Sequence, residues 1–158
     1  MAVSEVSVSF KKGSQFKQKD AESTIAVLMN IYRDSGKLTA EQIVREAEAK
    51  DSPLHDKFEW DDSEAAKQYR LEQARLLVRS VVIYHPDSGV QRRIFVNVVS
   101  EQQSQYVPLE VAMKNSTLRD QVLQDAKRDA EGFIEKYEDL KEFSVSINYL
   151  KEEIKEIA

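Results

Sequence analysis

The sequence predicts a mainly helical α+β fold. A winged-helix-like N-terminal part, three helices plus a β-hairpin, carries a long C-terminal helix or helical hairpin. Three observations predict it. Apolar residues recur at helical spacing in three segments between residues 20 and 78. Two β-branched runs flank the turn sequence HPDSG. From Leu118 onward, apolar residues return every three or four positions. The pattern divides the chain into a winged-helix-like domain, 1–105, and a helical extension, 106–158, that packs on it or mediates self-association.

Val6, Val8 and Phe10 alternate with Ser7 and Ser9, which predicts a short strand that completes a small sheet. The first helix is expected from Asp20, with Ile25, Leu28, Met29 and Tyr32 on one face. Ser35-Gly36 stops it, because glycine accepts the left-handed geometry of a helix end. The turn DSGKL then suits a helix-turn-helix-like corner. Thr39 and Gln42 form a capping box for the second helix, with Leu38 and Ile43 as its hydrophobic staple. Pro53 breaks the pattern, and Leu54, Phe58 and Trp60 are expected to pin the following loop to the core. The third helix is expected from Asp61 or Asp62 to about Val78, acids first as the helix dipole favours. Apolar residues, Ala65 and Tyr69 among them, cover most of it and leave one polar stripe of Gln68, Glu72, Arg75 and Arg79. The hairpin pairs VVIY with VQRRIFVNVV. Tyr106-Val107-Pro108 leads into a short helix, LEVAMK. Residues 117–140 are expected as one long helix whose seam is Leu118, Val122, Ala126, Ala130, Phe133, Tyr137 and Leu140, with heptad-like spacing. A seam that long needs cover. Either the chain bends near Ser144, so that Ile147, Leu150, Ile154 and Ile157 fold back, or a second copy supplies it.

The composition excludes several chemistries. There is no cysteine, hence no disulfide and no thiolate metal site. That usage fits a reducing cytosol. The start MAVSEVSVSF does not read as a secretory signal, and no apolar run approaches a membrane span. The net charge of −5 gives no global attraction to nucleic acid. The acids concentrate late, with thirteen against eight basic residues in 101–158, so a basic surface must come from the first hundred residues. No nucleophile-elbow sequence surrounds a serine, neither histidine has a catalytic motif, and the four glycines are scattered. The expectation is a protein that is not an enzyme and takes no cofactor.

The segment SPLHDKFEWDDSEAAKQYRLEQARLLVRSV resembles a poorly characterised family of small tailed-phage and prophage proteins, whose pattern is SPLH, FEW-D-D, AA, YR, QAR after a GKLT-type helix. YVPLEVAMKNSTLRDQVLQDAKRDAEGFIEKYEDL is similar to that family's C-terminal helix, and the likeness runs from about residue 24 to 145. The resemblance implies a phage or prophage accessory protein in the bacterial host cytoplasm, and no particular chemistry.

Among the polar constellations, Arg75, Arg79, Arg92 and Arg93 are the nucleic-acid candidates, with Lys67 and Arg70 as possible additions. They would form one basic face from the third helix and the hairpin, with DNA as partner. The acidic start of that helix opposes base contact there, and solvated charges with intrachain pairs are the plain alternative. Trp60, Phe133 and Tyr137 are candidate partner-binding aromatics, for a second copy or for a phage or host protein. Trp60 has a core role as its simpler reading. His55 with Asp56, Glu59, Asp61 and Asp62 could converge on a metal. The simpler expectation is a helix cap and a histidine bonded to the loop backbone.

Overall fold

The first strand forms as the alternation predicts. In the computed structural model, which describes residues 6–61 and 63–157, β1 spans Ser7–Phe10 and buries Phe10 completely. α1 (Ala21–Ser35) buries Leu28, while Ile25, Met29 and Tyr32 are half-buried against the same core. It ends where Gly36 turns left-handed (φ 71°) and donates its N–H to the Tyr32 carbonyl at 2.7 Å. α2 (Ala40–Ala47) carries the expected capping box. Gln42 N–H donates to Thr39 Oγ1 (3.2 Å), and Thr39 N–H donates to Gln42 Oε1 (2.8 Å).

The loop after α2 is held by its apolar residues. Leu54 and Phe58 are buried, and half-buried Trp60 packs against the core. α3 (Glu64–Ser80) starts later than the acids suggested. Ser63, not an aspartate, is the cap: its Oγ accepts the Ala66 N–H at 3.2 Å, and Asp61 accepts the Ser63 N–H at 2.9 Å. Asp62 lies outside the described residues. α3 also shows more polar surface than expected, since Ala65 and Tyr69 are exposed. It runs without a loop into β2 (Val81–His85).

β2 lies between β1 and β3 (Val90–Arg93), both antiparallel to it. Gly89, at φ 67°, closes the β2–β3 turn. The expected second hairpin strand, VQRRIFVNVV, is two strands in two sheets. It breaks at Ile94, and β4 (Phe95–Ser100) pairs with β5 (Gln103–Pro108), a strand that the sequence pattern left unassigned. An isolated bridge joins Leu38, in the α1–α2 corner, to Tyr106 of β5.

The chain parts into two units between Glu110 and Val111, inside α4 (Leu109–Lys114). The expected boundary at 105/106 would cut β5, whose whole length pairs with β4 of the first unit. The second unit is a helical hairpin. α5 (Ser116–Tyr137) is capped by Asn115, whose side chain accepts the Leu118 N–H. It stops three residues before the expected Leu140. A single 3-10 turn at Lys141–Phe143 reverses the chain into α6 (Ser144–Lys155). Lys127 reaches the Ile157 carbonyl at 3.2 Å and Lys151 reaches Glu138 at 3.2 Å, so rising positions on α5 meet falling positions on α6 and the helices are antiparallel. The chain's own last helix is therefore a partner of α5. Of the expected seam, Leu118, Val122, Ala130 and Tyr137 are half-buried and Ala126, Phe133 and Leu140 are exposed, while Ile134, beside it, and the expected Ile147 are buried. The architecture is mainly helical α+β, and no helix among the described residues is long and apolar enough to cross a membrane.

Two predictions follow from this packing. Thr24 is wholly buried in α1 and its Oγ1 has no hydrogen-bond partner among the described residues. Thr24→Val keeps the shape and removes the unmet hydroxyl, so it should raise stability by about 1 kcal/mol. A loss of stability in a denaturant melt would show that the hydroxyl is satisfied. Lys57, with its side chain almost fully buried, bonds Asp20 at 3.1 Å and holds that carboxyl below its usual range. A depressed carboxyl contributes stability above its unfolded pKa, about 3.9, and loses it as pH falls through the lower folded value. The denaturant midpoint of the native chain should thus fall more steeply below about pH 4 than that of Asp20→Asn. Parallel pH curves would rule the linkage out.

Candidate functional site

The Leu38–Tyr106 bridge sets the corner between α1 and α2 against the β4–β5 hairpin. Leu38 N–H donates to the Tyr106 carbonyl at 3.1 Å, and Tyr106 N–H to that of Leu38 at 2.6 Å. Beside it opens a cleft of about 600 Å³. Lys37, Thr39, Ala40, Glu41, Gln42 and Arg45 form one wall, Arg75 of α3 another, and Asn97, Gln103, Ser104 and Tyr106 the third.

Several of these groups are already engaged. Gln42 bonds Thr39 through Oε1 and Ser35 through Nε2. Asn97 and Ser104 bond one another at 2.8 and 3.1 Å. Arg75 pairs with Glu72 one turn back. Lys37 and Arg45 have no ion pair among the described residues. Tyr106 is 8% exposed, and its hydroxyl has no hydrogen-bond partner among the described residues. Burial raises its pKa, against the opposing pull of the Arg79 and Arg75 charges. Both guanidinium groups thus act on the phenol.

The four arginines singled out in the sequence do not form one face. Arg75 lines the cleft and Arg79, one turn further along α3, is exposed. Arg92 and Arg93 are on β3, outside the cleft. Being adjacent in a strand, they point to opposite faces of the sheet. Register puts Arg93 opposite Val82, two residues past the end of α3, so of that pair it is the nearer to the α3 terminus in chain path. Lys67 pairs with Glu64 at 2.5 Å. Arg70 donates to the carbonyls of Glu59 (2.9 Å) and Asp61 (2.7 Å) and lies over Trp60, which gives it a loop-holding role. Lys37 and Arg45 were passed over in the sequence. The signal was present, since both flank the Thr39–Gln42 cap, but nothing local joined them to Arg75.

Trp60 donates its Nε1–H to the His55 carbonyl at 2.9 Å and stacks on the His55 ring at 5.0 Å. His55 Nδ1 lies 2.8 Å from the Ala47 carbonyl. These contacts tie the loop to α2. Among the described residues, no three His, Asp or Glu side chains converge as metal ligands. In the second unit, exposed Phe133 packs edgewise on Phe143 and lies 5.0 Å from half-buried Tyr137.

The fold and the cleft define a mainly helical α+β protein whose first unit carries a polar, cation-bearing cleft. The chain matches no protein-family model, no curated protein and no solved structure.

The hairpin bordering the cleft is strained. Its turn residues Glu101 and Gln102 both have positive φ, 51° and 64°, without glycine or asparagine. Replacing the pair by Asn-Gly should stabilise the protein by about 1–2 kcal/mol. An unchanged or lower thermal midpoint would mean that the turn adopts another conformation.

Proposed function

We propose that this is a non-enzymatic accessory protein of phage or prophage type, which binds nucleic acid by its phosphates through the winged-helix-like first unit. The observation that carries this reading is the cleft, where Arg75 meets Lys37 and Arg45, with Arg79 exposed one turn beyond. The bridge from the α1–α2 corner to the β4–β5 hairpin supports the winged-helix likeness. The acidic start of α3 is not an obstacle. Arg75 and Arg79 lie in the last third of a helix about 25 Å long, beyond screening distance of Glu64 at physiological salt. Contact through that end engages backbone phosphate and not base edges.

A second reading draws on a separate observation. Phe133, Leu140, Phe143, Val145 and Tyr149, all on the acidic second unit, are between 39% and 71% exposed. Such surface favours assembly with a second copy or docking of a phage or host protein. Light scattering that returns one chain's mass at every concentration would remove self-association from this reading.

The first reading is tested by fluorescence anisotropy with short single- and double-stranded DNA. Binding should be measurable at about 50 mM salt and weaken steeply towards about 200 mM. Arg75→Ala with Arg79→Ala should lower the slope of log affinity against log salt by roughly 2. No binding at the lower salt, or binding indifferent to salt, overturns it.

A further inference from the structure

We propose that the α2–α3–β4β5 cleft is a discrete site for a terminal phosphate on a nucleotide-sized group, not a stretch of a track for duplex DNA. The inference rests on the nucleic-acid reading only for what carries the phosphate.

The N-terminus of α2 supplies the first part. Its capping box satisfies the N–H groups of Thr39 and Gln42. That leaves the first-turn N–H groups of Ala40 and Glu41, both in the cleft wall, without intrahelical partners. Tyr106 supplies the second, independent part. The residue is 8% exposed and lines the cleft, and its hydroxyl, bonded to nothing among the described residues, is open to an oxygen partner from outside the chain. Lys37 and Arg45 bring charge that no carboxylate of the described residues takes up.

Charge and size then select the ligand. A phosphomonoester carries close to two negative charges at neutral pH, a backbone diester one. Glu72 takes up the Arg75 charge, so the excess of Lys37 and Arg45 over Glu41 leaves the cleft positive and favours the more highly charged group. Glu41 itself calls for hydrogen-bond donors next to that phosphate, which sugar hydroxyls or a base amine provide. At about 600 Å³ the cleft has the volume of a small-ligand site, whereas a duplex needs an extended surface.

The test compares four probes against the whole chain at about 50 mM salt: a 5′-phosphorylated single strand, the same strand unphosphorylated, a nucleoside 5′-monophosphate and inorganic phosphate. The phosphorylated strand should bind about tenfold more tightly than its unphosphorylated twin, a preference worth about 1.4 kcal/mol. The nucleotide should compete with it better than inorganic phosphate does. Tyr106→Phe keeps the buried ring, and Arg45→Ala removes an exposed side chain, so both should fold with an unchanged circular dichroism spectrum. Tyr106→Phe should cut the preference for the phosphorylated strand several-fold and leave the unphosphorylated strand's affinity nearly as it was, whereas Arg45→Ala should weaken both strands and the phosphorylated one more. Equal binding of the two strands overturns the discrete site and leaves phosphate-backbone binding standing. Nucleotide binding without strand binding does the reverse, and keeps the site with a free nucleotide as its ligand. No binding of any probe overturns both.

Discussion

Two backbone hydrogen bonds, between Leu38 and Tyr106, join parts of the chain roughly 70 residues apart, and the first unit's functional geometry depends on them. Closing so long a loop is costly in chain entropy, and two hydrogen bonds alone do not offset it. Burial does. Leu38 is fully buried and Tyr106 nearly so, in one core with Leu28, Ile43, Leu77 and Phe95. Each large side chain so buried contributes about 2 kcal/mol. The bridge thus turns core packing into position. It sets the first turn of α2 facing the β4–β5 hairpin and leaves the polar neighbours of Leu38 and Tyr106 lining a cleft.

The cleft is polar because its walls come from the polar faces of amphipathic elements. Ile43 and Ala47 turn α2's apolar face inward, which sends Glu41 and Arg45 outward. Ala74, Leu77 and Val78 do the same on α3, which leaves Arg75 on the cleft wall with Tyr106 and Arg79 exposed. Three other cations of the first unit are spent on structure. Lys57 is tied to Asp20, Lys67 to Glu64, and Arg70 holds the loop that contains Trp60. What separates Lys37 and Arg45 from these is the lack of an internal anion.

Features encoded by neighbours in sequence were legible. The Thr39–Gln42 cap, the Gly36 helix stop, the Pro86–Gly89 turn and the pairing of the first strand each formed as their local pattern implies. The second hairpin was not legible, because Glu101-Gln102 lacks the glycine or asparagine that usually announces such a turn. The α5 seam was legible in part, with Leu118, Val122, Ala130 and Tyr137 half-buried. Ala126 and Phe133 look suitable for it, but Ile134 is the residue buried. The opposed directions of Arg92 and Arg93 follow from strand period alone and were open to view. The cleft was hidden for a different reason. Lys37, Arg45, Arg75 and Tyr106 come from separate elements, and only the long-range bridge makes them neighbours.

Amide-resolved hydrogen exchange tests this arrangement most directly. The N–H groups of Leu38 and Tyr106 should exchange as slowly as those of buried residues in α3, such as Leu77, because opening the bridge requires opening the core. Ala40 and Glu41, beside them in the chain, should exchange fast. If Leu38 and Tyr106 instead exchange at the rate of surface loops, the bridge does not hold the corner to the hairpin, and the cleft is not a fixed site.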